Sequence, residues 1–453
     1  MKWWVIYISI FGIFPVITHS FQAQYNGDQV LHLIPADSEH VEFLKQLVED
    51  EQIDLWRPEF PERIQPQDEV HARIPASALD TVKGELKARA LQYSILTENI
   101  QELLDNQIQN EDKQPFNTRA HSYIKYHPME EIYHWMEHMK ENYKELVTQH
   151  LLGMTYQKRP MYYLKISRKS DKPKKIIWMD CGIHAREWIA PAFCQWFVRE
   201  VLEAYTADPQ RERFLQHIDF YILPVLNVDG YINSWTTDRL WRKSMSLCDL
   251  DNSTCFGTDL NRNFEAKWCS IGGSRNCCSI TYCGSAPESE PETIAVASFL
   301  RKHLGDVLCY LAIHSYGQMI LMPYGYTNTT ASNHEEMVNV GQKAADALYQ
   351  KHGTRFKVGS TVELLYYAAG TSIDWAADLG IDFSFLFELR DNGTHHFILP
   401  EDQIQPTCEE TMAAVTTIIE HVYDKHFPNT APTIVALWFS VLASSFLSVY
   451  FVK

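Results

Sequence analysis

A chain of 453 residues with 45% hydrophobic content can bury a large core and predicts more than one domain, which excludes an intrinsically disordered protein. Its formal net charge of −17 argues against nucleic acid as a partner and reads as a solubility device.

The chain begins with Lys2 and an apolar stretch from Trp3 to Ile17, followed by Thr18-His-Ser20. Residues 1–20 are therefore expected to be a cleaved secretory signal, the run being short for a membrane span. Export makes the cysteines informative. None of the ten precedes Cys181 and six lie between Cys248 and Cys283, which predicts local disulfides. Sequons at Asn252, Asn328 and Asn392 agree with a secreted route.

Residues 21–119 are expected to form a small unit of their own. Strands are predicted at Val30–Ile34, Ile53–Trp56, Glu69–Ile74 and Leu91–Leu96, with helices capped by Ser38 and Ser77 between them. The order β-α-β-β-α-β describes an α+β open sandwich. It holds no evident ligand cluster, so an inhibitory or chaperoning role is expected for it. A polar helix from Glu98 to about Asn110 leads to Lys113-Gln-Pro-Phe-Asn-Thr-Arg119, a plausible cut for a trypsin-like activating protease.

From residue 120 to 428 apolar strands alternate with amphipathic helices. Strands are predicted at Met161–Ile166, Ile176–Met179, Phe220–Val225, Leu308–Ile313 and Phe383–Phe387. Helices are predicted at Met129–Leu146, Trp188–Tyr205, Glu292–Lys302, Glu335–Lys351 and Glu409–Phe427. The fold class expected is α/β, a mainly parallel mixed sheet with helices on both faces and ligands at the carboxyl ends of its strands.

Two of those ends carry metal-type ligands. His184-Ala-Arg-Glu187 follows the strand Ile176–Met179, and His314 closes Leu308–Ile313. His-x-x-Glu occurs four times, and the copies at His127/Glu130, His134/Glu137 and His138/Glu141 read as solvated charges on a helix. Two imidazoles and one carboxylate suit a catalytic Zn2+, which keeps one position for water. Glu388 stands in the apolar strand Phe383–Phe387 and its continuation, where a carboxylate is costly unless paired, for example with Arg390, or functional as a general base.

These motifs resemble the zinc carboxypeptidases of the A and B type, and the similarity runs from the small N-terminal unit to about residue 427. The resemblance implies zinc ligands His184, Glu187 and His314, with Asp259 orienting His184. It makes Arg242, in Thr-Asp-Arg-Leu-Trp-Arg242-Lys, the group that polarises the scissile carbonyl, and Glu388 the general base. Asn261, Arg262 and Tyr366 would hold the substrate's terminal carboxylate, and Arg186 would make a further substrate contact. Cys181–Cys194, Cys255–Cys278 and Cys269–Cys283 are the implied disulfides, leaving Cys248, Cys277, Cys309 and Cys408 unassigned.

The expected reaction is removal of one C-terminal residue from peptides and proteins. The implied side-chain pocket is lined by Leu321, Thr361, Leu365, Ala368 and Leu386 with Ile373 at its floor, which predicts apolar or aromatic C-terminal residues. The alternative is an acidic preference, since the chain also resembles an intestinal branch of the family that takes acidic residues, although that branch has an arginine where Ile373 stands. Two other classes fit the residues less well. A zinc deacylase would not need Asn261, Arg262 and Tyr366 together, and a non-catalytic surface binding protein would be expected to lack a zinc ligand or Glu388.

The chain ends in an apolar run from Pro432 to Val452 after the small residues of Asn429-Thr-Ala431. Residues 429–453 read as a GPI-attachment signal or a retained single-span anchor, either of which leaves the catalytic unit on the outer face of the plasma membrane.

Overall fold

The computed structural model describes residues 23–50, 53–58, 61–108, 121–207, 212, 214–248 and 255–428. The expected signal peptide, the cleavage site at Arg119, the sequon at Asn252 and the segment 429–453 lie outside the described residues. Asn328 and Asn392 are exposed. No helix among the described residues is long and apolar enough to cross a membrane.

The N-terminal unit is a four-stranded antiparallel sheet with helices on one face. Its strands are β1 (Gln29–Leu33), β2 (Asp54–Arg57), β3 (Val70–Ile74) and β4 (Tyr93–Thr97), in the order β2-β3-β1-β4. Alternation along β1 sends Leu31 and Leu33 into a core with Phe43, Leu44 and Leu47 of α1 (Ser38–Glu49) and Val82 and Leu86 of α2 (Leu79–Ala88). Two expected caps are corrected. Asp37, not Ser38, caps α1 by accepting from the His40 amide at 3.0 Å, and α2 starts after Ala78 with no side-chain cap. Carboxylates and hydroxyls both suit that position, so adjacent Asp37 and Ser38 compete and only the backbone path decides.

The opposite face of this sheet packs against the large domain. Tyr25, Val30, Trp56 and Ile100 form one apolar cluster with Leu240, Tyr316, Phe397 and Ile398. Polar contacts frame it. Gln107, at the end of α3 (Ile100–Gln107), accepts from Arg239 Nε at 2.9 Å and donates to the Leu399 carbonyl at 3.2 Å.

The large domain is built on eight strands, ordered β11-β10-β12-β9-β7-β8-β6-β5. In chain order they are β5 (Val147–Met154), β6 (Pro160–Ile166), β7 (Lys175–Cys181), β8 (Ile218–Leu223), β9 (Val307–His314), β10 (Met319–Met322), β11 (Lys357–Ser360) and β12 (Phe383–Glu388). The central run β12-β9-β7-β8 is parallel, as expected for strands buried on both faces; all eight residues of β9 are buried. Antiparallel pairs β10·β12, β8·β6 and β6·β5 lie outside it. Strands β5, β10 and β11 were not anticipated. β5 buries only Val147 fully and β11 (Lys-Val-Gly-Ser) has no apolar alternation, while β10 is wholly apolar and buried but only four residues long, too short for periodicity to tell strand from helix.

Helices α4 (Met129–Asn142) and α5 (Ile189–Ala207) cover the sheet with those at Pro291–Lys302, His334–His352 and Ile404–His426. The three implied disulfides are present, and Cys248–Cys277 is a fourth; Cys309 and Cys408 are buried thiols.

Candidate active site

Three adjacent strand ends converge on one point. β7 and β9 are parallel neighbours with Cys181 opposite Ile313, and β9 and β12 set His314 opposite Glu388. Beyond β7 the chain turns at Gly182, whose φ of +66° and whose closeness to Pro191, 3.0 Å from where a Cβ would stand, favour glycine. The turn delivers His184 and Glu187 ahead of α5, and the Cys181–Cys194 bridge ties the strand end to that helix.

His184, Glu187 and His314 are buried together. The Nδ1 of His184 lies 2.7 Å from Glu187 Oε1 and 3.2 Å from His314 Nδ1, which is itself 3.2 Å from Glu187 Oε2. On its far side His184 Nε2–H donates to Asp259 Oδ1 at 3.1 Å, which leaves the Nδ1 lone pair facing the cluster. Two facing imidazole nitrogens and a carboxylate form an electron-rich set that a divalent cation would satisfy. The donor chemistry therefore fits zinc.

Charges around the trio are strongly coupled. Burial opposes ionisation of Glu187, but the His184 and His314 imidazoles outweigh it and hold the carboxyl well below its usual range. Asp259 is likewise held far down, burial being overcome by Arg242, Arg262 and His184. Burial and Arg242 work against protonation of His184, while Glu187 and Asp259 reverse the balance.

The remaining expected residues gather around this trio. Arg242 donates to Asp259 Oδ2 through Nη2 at 2.9 Å and Nε at 3.2 Å. Arg262 donates from Nη2 to the Tyr366 hydroxyl at 3.2 Å and from Nε to the Gly272 carbonyl at 2.7 Å. Asn261 accepts from the Ser372 amide at 2.9 Å, and its own amide donates to Asp259 Oδ1 at 3.0 Å. Arg186 is fully buried, with its guanidinium 3.9 Å from the Phe397 ring centre. Half-buried Glu388 lines a cavity of about 390 Å³ together with Ser315, Tyr366 and Leu365. Arg390 is not its partner: it donates to both carboxylate oxygens of Glu410, at 2.7 and 2.6 Å.

Of the expected pocket residues only Leu365 lines that cavity. Ile373, Leu321 and Leu386 pack in the main core, while Thr361, Ala368 and Asp374 surround Gly325 beside it. The reading of His127 as a solvated charge is corrected. It is buried, with Nδ1 2.6 Å from Glu131 and Nε2 2.6 Å from the Ser122 carbonyl.

Several residues at the cavity were missed. Trp56, Arg57, Arg63 and Glu69 of the N-terminal unit line it opposite Glu388, and Trp56 stands edge-on to Phe397 with ring centres 5.5 Å apart. The available signal was the long, Pro- and Arg-bearing connection between Arg57 and Val70, a length that often marks a functional loop.

Comparison with known proteins agrees with this geometry. Residues 132–414 match the family model described as zinc carboxypeptidase, and residues 31–107 match that of the carboxypeptidase activation peptide. Carboxypeptidase O of Bos taurus is 60% identical over 338 residues, covering 74% of this chain and 88% of that protein. Carboxypeptidase B of Bos taurus is 43% identical over 410 residues, covering 89% and 96%. The crystal structure of thrombin activatable fibrinolysis inhibitor superposes with a TM-score of 0.82 at 44% identity, over 88% of this chain and 99% of that one.

Proposed function

The chain belongs to the zinc carboxypeptidase family, and from that premise we propose how its residues divide the removal of a C-terminal residue among them. The protein is a zinc-dependent exopeptidase, a hydrolase carrying an activation peptide, and it travels the secretory pathway.

His184, Glu187 and His314 hold the zinc, with Asp259 fixing the His184 ring. Bound there, zinc supplies Lewis acidity toward the scissile carbonyl and toward water. Glu388 takes a proton from the attacking water as its oxygen bonds to the carbonyl carbon, and passes that proton to the amine as the C–N bond breaks. Arg242, held in place by its ion pair with Asp259, receives the negative charge that develops on the carbonyl oxygen. Arg262 offers a planar fork to the substrate's terminal carboxylate, with Asn261 and the Tyr366 hydroxyl beside it, while Arg186 contacts substrate further along. The observation that carries this reading is the convergence of the buried trio and Glu388 at three adjacent strand ends.

A preference for apolar or aromatic C-terminal residues rests on the family resemblance that puts Ile373 at the pocket floor, since an aliphatic floor cannot pair a charged side chain. The second reading, an acidic preference, rests on the 60% identity to carboxypeptidase O. Peptides alike except for a final Phe, Leu, Glu or Lys separate the two: faster release of Glu than of Phe removes the first reading.

The domain division we adopt is signal 1–20, prodomain 21–119, catalytic domain 120–428 and C-terminal segment 429–453. A trypsin-like protease cutting after Arg119 activates the enzyme, and the apolar run Pro432–Val452 directs a lipid anchor at the outer cell surface. Release of the protein from cells by a phosphatidylinositol-specific phospholipase tests the anchor; retention favours a membrane span instead.

A further inference from the structure

The prodomain carries a second group of metal-type ligands. His32 on β1 stands directly opposite His71 on β3 in the antiparallel register, and Glu69, two residues before His71, belongs to the same face. The candidate ligand atoms of His32, Glu69 and His71 all lie within 4.8 Å of one another, and the two imidazole rings are 5.5 Å apart, edge to face. Among the described residues, only this trio and that of the active site bring three such groups so close.

His71 packs edge-on against His396, with ring centres 5.8 Å apart, but neither imidazole makes a short hydrogen bond among the described residues. His71 is 6% exposed, and its Nδ1 is buried with no hydrogen-bond partner among the described residues. His32 has a single long contact, 3.5 Å from its Nδ1 to the Ser94 hydroxyl. Two histidines paired across a sheet beside a carboxylate are a poor way to pack an interface, since a buried polar atom left unpaired is destabilising.

We propose that His32, Glu69 and His71 form a second divalent-cation site, selective for Zn2+ and similar borderline ions over Ca2+ and Mg2+. Two nitrogen donors and one oxygen match the first group, whereas the second demands mostly oxygen. A tetrahedral site with bonds of about 2.1 Å places its ligand atoms roughly 3.4 Å apart, so the trio must close slightly around the ion. Glu69 is exposed and His32 only partly buried, and both can turn inward. Arg57, opposite His71 on β2, opposes the ion's charge, which Glu69 offsets. The site is thus weaker than the catalytic one. Its position gives it a role: Glu69 lines the cavity that holds Glu388, so an ion here fastens β1 to β3 on the prodomain face that covers the active site.

The test is metal content of the untagged, uncleaved protein after dialysis against buffered Zn2+, beside His32→Gln and Glu69→Gln. The parent should bind about two zinc ions per chain and each variant about one. With the catalytic site already loaded, further zinc should raise the melting temperature of the parent and leave that of the variants unmoved, and Ca2+ should move none of them. A parent that takes up only one ion, or variants that keep both, overturns the proposal. Peptide hydrolysis by the trypsin-treated variants should equal that of the parent, so the outcome is independent of the catalytic assignment.

Discussion

His184 Nε2 lies 3.1 Å from Asp259 Oδ1, and the other oxygen of the same carboxylate accepts from Arg242 Nη2 at 2.9 Å. One buried Asp thus orients a zinc-ligating imidazole and holds the oxyanion-stabilising guanidinium. Asp259→Asn should weaken zinc binding by about 10–100-fold, and activity should fall further than metal loss explains because Arg242 is released as well. Metal content and kcat measured together at saturating zinc separate the two effects. Full activity restored by zinc alone contradicts the second role.

The prodomain covers the cavity that contains Glu388, with Trp56 wedged edge-on to Phe397 and against His396 at 4.9 Å. The uncleaved protein should therefore be latent, and Trp56→Ala should raise its basal activity several-fold by removing an aromatic anchor of the kind that dominates interfaces. Peptide hydrolysis before and after trypsin checks this. Full activity in the uncleaved parent defeats latency altogether.

Glu292 is fully buried, accepts from the Tyr156 amide at 2.9 Å, and has its pKa pushed up to about 7, chiefly by burial. A carboxyl whose folded pKa exceeds its unfolded value contributes stability below pH ~4 that is lost as pH rises through about 7. Glu292→Gln should therefore be nearly neutral at pH 5 and stabilising at pH 8, by up to about 3 kcal/mol. Melting curves of the two proteins at both pH values read the difference. Equal shifts at pH 5 and 8 speak against a titrating Glu292.

Much of this site was legible because its chemistry sits at strand ends that periodicity locates well. His314 and Glu388 close largely apolar strands, His184 and Glu187 follow another across a short turn, and the parallel order follows from the alternation of strands and helices. What escaped the sequence depends on contacts far apart in the chain. Arg390 is two residues from Glu388 yet pairs with Glu410, because it lies beyond the end of β12, where strand alternation no longer sets its direction. Cys248–Cys277 needs the folded loop to choose among nearby cysteines. His32 and His71 meet only through the prodomain register, 39 positions apart in a stretch that looked free of ligand clusters.

The specificity reading concentrates on Ile373, which is 1% exposed in the core beside Asp374. Ile373→Arg should shift the preference from Phe toward Glu at the peptide C-terminus, seen as a reversal in the ratio of kcat/KM values. A parent already selective for Glu means that a cation other than residue 373 reaches the pocket.

The measurement to make first compares the trypsin-treated parent with Glu388→Gln on one peptide, reading products by mass and metal by elemental analysis. The parent should release single residues from the C-terminus. The variant should keep one zinc in the catalytic site and lose activity by roughly 10²–10⁴-fold, the range typical of a lost acid–base group. Cleavage at internal bonds, or a zinc-loaded Glu388→Gln that turns over like the parent, contradicts the assignment of this site.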